Sequence, residues 1–109
     1  MKDEKYIKRV INYCHKIIRY LKSVDTIDDF ITNEEKVDAV LLNLEQIGET
    51  AKKLSKLYKV FYPDIEWNKI IGLRNLISHD YEGVDTTLIY NVATNNIPKL
   101  LESLLNLKQ

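Results

Sequence analysis

The chain holds a single cysteine, Cys14, so no internal disulfide can form, which fits a reducing compartment. Its neighbours are those of a helix-core thiol, not a reactive one. Glycine and proline are nearly as scarce, three and two in 109 residues. With few places to turn tightly, the sequence argues against many short strands and for long helices. No stretch approaches the ~20 apolar residues of a membrane span. The charged Met1-Lys2-Asp3-Glu4-Lys5 is not followed by the apolar segment of a secretory signal. A cytoplasmic protein with no membrane partner is expected.

Net charge is absent too, with 16 Lys and Arg against 16 Asp and Glu, so the whole-protein field is no argument for nucleic-acid binding. There is no internal repeat, no Gly-rich phosphate loop and no Cys/His cluster at metal-ligand spacing, so neither a metal nor a cofactor is expected.

What is present suits a folded soluble domain: 45% hydrophobic and 29% charged residues. At this length one domain spanning 1–109 is expected, burying roughly two-thirds of the surface its unfolded chain exposes. The charges are unevenly spread. Residues 1–22 carry seven Lys or Arg against Asp3 and Glu4, residues 23–38 carry six acids against Lys36, and a second basic cluster of Lys52, Lys53, Lys56 and Lys59 follows. Both basic clusters read first as solvated helix faces.

Helical periodicity dominates the chain. Ile7, Val10, Ile11, Cys14, Ile17, Ile18 and Leu21 recur at three- and four-residue steps, giving a first helix from about Lys5 to Lys22, with His15 at the edge of its stripe as a surface residue. Val24 to Ile31 reads as acidic and irregular. Thr32-Asn33-Glu34-Glu35 then has the spacing of a capping box. It opens a long helix whose near-heptad stripe runs from Val37 through Gly48 and Ala51 to Tyr58. Glycine at position 48 costs roughly 1 kcal/mol of helix propensity, so it more reasonably serves a close helix crossing. Pro63 ends that helix, and Asp64 can cap a third running through Ile70, Leu73 and Ile77 towards His79. Glu82-Gly83-Val84-Asp85 is a turn with Asp85 as cap. A fourth helix covers Thr86 to Asn96, Pro98 kinks or restarts it, and Leu100 to Leu107 forms a last apolar segment.

Within the third helix, Leu73-Arg74-Asn75-Leu76-Ile77-Ser78-His79-Asp80-Tyr81 sets three chemistries close together. Arginine is a permanent, forked cation suited to phosphate. Histidine exchanges a proton near neutral pH, and tyrosine offers a phenol oxygen. Together they suggest work on a phosphodiester. At ~100° per residue, however, Arg74 lies about 140° from His79 and shares a face with Ser78, while Asn75 shares one with His79. Either the helix ends near Ser78 and swings His79 round, or the two residues meet through a second copy on a twofold axis.

With these residues the chain resembles the HEPN domain family, specifically the HepT-like toxins of prokaryotic HEPN/MNT toxin–antitoxin pairs. The resemblance rests on Arg74-Asn75, two apolar residues, then Ser78-His79-x-Tyr81. It also rests on Tyr62-Pro63-Asp64-Ile65-x-Trp67, on Ile47-Gly48-Glu49-x-Ala51, and on Ile97-Pro98-x-Leu100-Leu101. It implies an all-α fold, an antiparallel helical bundle of four to five helices. The implied protein is a homodimer, a metal-independent endoribonuclease that cleaves RNA in a composite cleft. By that resemblance His79 shuttles protons, Arg74 holds the scissile phosphate, and Asn75 and Ser78 support the cleft. A cognate MNT-type nucleotidyltransferase antitoxin, in a complex that can be larger than the dimer, would silence it by AMPylation of Tyr81. The alternative is a non-catalytic module that binds a nucleotide or docks the nucleotidyltransferase, with Arg74 as anion clamp and His79 structural.

Overall fold

The computed structural model describes residues 2–107, and among these every regular element is helical. In chain order they are α1 (Lys2–Leu21), α2 (Ile27–Ile31), α3 (Glu34–Lys52), α4 (Lys56–Phe61), α5 (Trp67–His79), α6 (Thr86–Asn91), a π-helical turn (Val92–Asn96) and α7 (Ile97–Asn106). α1, α3, α5 and the α6-to-α7 rod form an all-α bundle, and the short α2 and α4 are its corners. The expected stripe of α1 is the one buried, through Ile7, Val10, Cys14 and Ile17. Cys14 is fully enclosed, and burial pushes its thiol up to about 12.

α3 is the central rod. It packs on α1 along one side and on α5 along the other, and α1 in turn packs on α7. α5 and α7 flank an open seam instead, a groove of about 450 Å³ floored by Leu44 and Ile47 and walled by Ile70, Leu73, Ile97 and Leu100.

Four boundaries differ from the expectations. Residues 24–31 are not irregular throughout: Thr26 and Asp29 form a reciprocal capping box that starts α2 over Phe30, which is fully buried. Thr32 does not cap α3, because its hydroxyl donates to the Asp28 carbonyl at 2.8 Å and closes α2; Asn33 is the cap, accepting from the Lys36 N–H at 3.1 Å. The long helix does not reach Tyr58. It stops at Lys52, and Ser55 restarts it as the cap of α4, held by Asp3, which accepts from the Ser55 N–H at 3.0 Å and hydroxyl at 2.8 Å. Nor does Asp64 cap α5, which begins at Trp67 behind Glu66 with no side-chain cap; burial of Ile65 and Trp67 fixes the entry instead.

The later elements fall where expected. Asp85 caps α6, accepting from the Thr87 N–H at 2.9 Å. Ahead of Pro98 the helix widens into the π turn, where the Ile97 N–H reaches back five residues to the Val92 carbonyl. Proline has no N–H for the usual bond, and α7 resumes around it.

Candidate active site

The site is assembled where α5 crosses α3. Gly48 makes the crossing possible: a Cβ there would overlap Arg74 Cβ and stand 2.9 Å from Arg74 Cγ and 3.0 Å from the Ile70 carbonyl oxygen. Absence of that atom lets Arg74 lie flat across α3, as the close-crossing reading of the glycine expects.

From there the guanidinium is held by its two ends. Nη2 pairs with Glu49 Oε2 at 2.8 Å, and Nη1 donates to Asn75 Oδ1 at 3.1 Å. The Glu49 contact has the length of an ion pair without the alignment of a hydrogen bond. Glu49 Oε2 and Arg74 Nε are both enclosed without a hydrogen-bond partner. Of the five N–H donors of an arginine, Nε is thus enclosed and one on each terminal nitrogen faces a partner, which leaves the second N–H of each terminal nitrogen as the pair that suits an oxyanion.

Two further motif side chains lean on α3. The Ser78 hydroxyl donates to Glu45 Oε2, and the Tyr81 phenol donates to Asp38 Oδ1 at 3.2 Å. Partial burial raises the Tyr81 pKa, and the carboxylates of Asp38 and Glu45 push it further the same way, so the phenol is neutral across physiological pH. Sequence reasoning assigned no role to Asp38, Glu45 or Glu49. Their steps of seven and four put them on one face of α3, but only the antiparallel register shows that each meets a motif residue.

His79 stands apart from this set. α5 stays helical through it, with the Asp80 N–H still reaching the Leu76 carbonyl at 3.3 Å. The helix does end here, one residue past Ser78, but His79 itself keeps the helical backbone, so the end does not swing the imidazole round to the Arg74 side, which removes the first of the two expected routes. In one chain Arg74 faces α3, while His79 is exposed about 140° away, a helical turn from Asn75. The exposed residues nearest it on α5, Asn68, Gly72, Asn75 and Leu76, are uncharged, with Lys69, paired to Glu66, at the edge of that face. His15 is an exposed residue of α1, as expected.

The profile of the family described as "Ribonuclease HepT-like" matches residues 10–107. A protein of Methanocaldococcus jannaschii named as an RNase with putative status is 27% identical over 95 residues, covering 87% of this chain and 86% of that protein. A second protein of the same organism, named "Gamma-glutamylcyclotransferase and putative RNase", is 34% identical over 109 residues, 99% of this chain but 49% of that longer protein. The protein named "Probable ribonuclease HepT" in Thermococcus cleftensis is 32% identical over 73 residues, 67% of this chain and 66% of its own. No solved structure matches the chain.

Proposed function

The chain belongs to the HepT-like ribonuclease family, and on that premise we propose that it is an endoribonuclease whose cleft is completed by two copies of the chain. The observation that carries the dimer is the regularity of α5: Arg74 and His79 are both motif residues, yet one helix holds them on different faces. A neutral exposed face containing Gly72, Asn75, Leu76 and His79 supports pairing of α5 with its own copy across a twofold axis. Two His79 imidazoles and two Arg74 forks then border one cleft.

The chemistry needs no metal, because RNA carries its own nucleophile. One His79 takes the proton of the 2′-OH as its oxygen attacks the adjacent phosphorus. The second gives a proton to the departing 5′-oxygen, and a cyclic phosphate remains. Arg74 holds the phosphate and stabilises the charge that gathers on its oxygens. Asn75 accepts from Arg74 and keeps the fork oriented, while Ser78 anchors the end of α5 to Glu45.

The same reading includes a toxin–antitoxin pair. A nucleotidyltransferase antitoxin bound to the dimer transfers AMP to Tyr81. Tyr81 is 40% exposed and its hydroxyl is restrained by a single hydrogen bond, which suits a residue that is to be modified. A bulky phosphate two residues beyond His79 repels RNA and fills the cleft.

The test is incubation of a mixed RNA pool with the purified chain in chelator, alongside His79→Ala and Arg74→Ala, with intact masses recorded. Cleavage by the parent protein, lost in both variants, is expected. An unmodified parent chain that cuts nothing refutes the reading, as does a variant that cuts equally well.

A further inference from the structure

Past the Arg74–Glu49 pair, the surface of α3 changes sign. Glu45, Glu49 and Lys52 follow one another at steps of four and three, so they share a face, and Lys52 stands roughly 4.5 Å further along the axis than Glu49. From Lys52 to Phe61 the chain carries Lys52, Lys53, Lys56 and Lys59 and no carboxylate. The carboxylates near it are Glu49, paired with Arg74 one turn before Lys52, Asp3, whose two oxygens are engaged by Ser55, and Glu4, which acts on Tyr58.

This segment also holds the largest unexplained apolar exposure of the chain. α4 buries none of its residues, and Leu57, Val60 and Phe61 are 65%, 72% and 69% exposed. The helix is nonetheless well fixed from beneath. Ser55 caps it, and Tyr58 packs on Tyr62 and Trp67, with ring centres 4.8 and 6.5 Å apart. A firmly seated helix that presents lysines and a bare phenyl ring has the two elements by which proteins hold single strands, a cationic line for the backbone and an aromatic platform for a base.

We infer that α4 and the C-terminal end of α3 bind single-stranded RNA and lead it to Arg74. Lys52, Lys56 and Lys59 meet successive backbone phosphates on one side of the scissile bond, and the strand crosses the exposed top of α4 over Val60, so that a base a few nucleotides away stacks on the Phe61 ring, about 140° round the helix from Lys56. This rests on the ribonuclease reading and adds to it a substrate class and a direction of approach. An anionic membrane or an acidic protein would also suit lysines beside apolar side chains. RNA is favoured because the cationic line begins one helical turn along α3 from Glu49, the partner of the guanidinium that takes the scissile phosphate.

The experiment measures affinity of the full chain for a labelled 20-nucleotide single-stranded RNA, against salt, in a His79→Ala background that leaves the RNA intact. It compares Lys52→Gln/Lys56→Gln/Lys59→Gln, the corresponding triple Glu variant and Phe61→Ala. Circular dichroism checks that each folds. Three lost phosphate contacts should lower the slope of log K against log salt by about 2, at roughly 0.7 per contact on a single strand. Affinity should fall at least tenfold for the Gln triple and further for the Glu triple, and Phe61→Ala should cost about tenfold with the slope kept. Cleavage of the same RNA, measured with His79 restored, should fall in parallel. Folded Lys and Phe61 variants that bind and cut like the parent overturn the track and leave the ribonuclease reading standing. A parent chain that neither binds nor cuts RNA overturns both. RNA binding unchanged in the variants, with loss of binding to phosphatidylglycerol vesicles, would assign the patch to a membrane and overturn the inference.

Discussion

Two helical glycines of this chain should respond to alanine with opposite signs. In a helix interior the exchange of Gly for Ala gains about 1 kcal/mol of propensity. At Gly72, on the exposed face of α5, an added Cβ meets nothing within 4 Å in the single chain, so Gly72→Ala should realise that gain when melted dilute enough to keep the chain monomeric. At Gly48 the same methyl overlaps Arg74 Cβ and lies 2.9 Å from Arg74 Cγ and 3.0 Å from the Ile70 carbonyl. Carbon atoms are most favourable about 3.5–4.0 Å apart, so α5 must retreat from α3 by roughly 1 Å. The obstructing atoms belong to the backbone and the root of a side chain, which cannot rotate away. Overpacking of this kind costs ~1–3 kcal/mol, and this geometry belongs in the upper half of that range. After the propensity gain, Gly48→Ala should be destabilised by about 1–2 kcal/mol. At ~4 °C per kcal/mol for a domain near this size, thermal midpoints should fall by about 4–8 °C for Gly48→Ala and rise by about 4 °C for Gly72→Ala. Circular-dichroism melts at one fixed, low protein concentration decide the matter, since pairing of two copies as proposed would make midpoints concentration-dependent. RNA cleavage by Gly48→Ala should fall more than stability, because a ~1 Å misplacement of a catalytic group can cost about a hundredfold. Equal stabilisation by both substitutions would refute the crossing geometry.

Other consequences can be measured separately. The Cys14 thiol, held up to about 12 against an ordinary value of 9.0, binds its proton more tightly folded than unfolded. Stability should therefore be unaffected by this group below pH 9 and fall between pH 9 and 12, at up to about 1.4 kcal/mol per pH unit; urea titrations of the parent and Cys14→Ala at pH 8 and 10 should show a smaller alkaline loss in the variant. The raised phenol of Tyr81 acts with the same sign above pH 10. Ser55→Ala removes the cap of α4 and the hydroxyl bond to Asp3, leaving only the backbone N–H bond to that carboxylate, and should lower stability by about 1–2 kcal/mol in urea unfolding. His79→Ala alters an exposed side chain with no hydrogen bond among the described residues, so unfolding should change by less than about 0.5 kcal/mol while cleavage is lost.

The bundle was legible where the governing interactions are local. The stripe of α1, the crossing role of Gly48 and the Asp85 cap each depend on residues whose spacing is visible along one element. The break between α3 and α4 was not, because the apolar rhythm passes through Leu54 to Tyr58 without interruption. What stops the helix is a carboxylate 52 positions away, Asp3, which rewards Ser55 for leaving it. Thr32 matched the capping-box spacing but was already committed to closing α2, so Asn33 took its place. The motif residues themselves were readable as a set. Their settings were not: that Arg74, Ser78 and Tyr81 each face a carboxylate depends on the register between two helices, which no single stretch encodes.

The unclosed seam bears on how the molecule moves. Because the rods follow the order α5, α3, α1, α7, the helix carrying the motif is the end leaf of a stack, supported chiefly along one edge. Such a leaf can lift as a unit for less free energy than global unfolding requires. Amide exchange on α5 should then outpace that on α3, whose two sides are both covered. Anything wedged into the groove against Ile70 and Leu73 would act as a lever on Arg74, one residue further along the same helix.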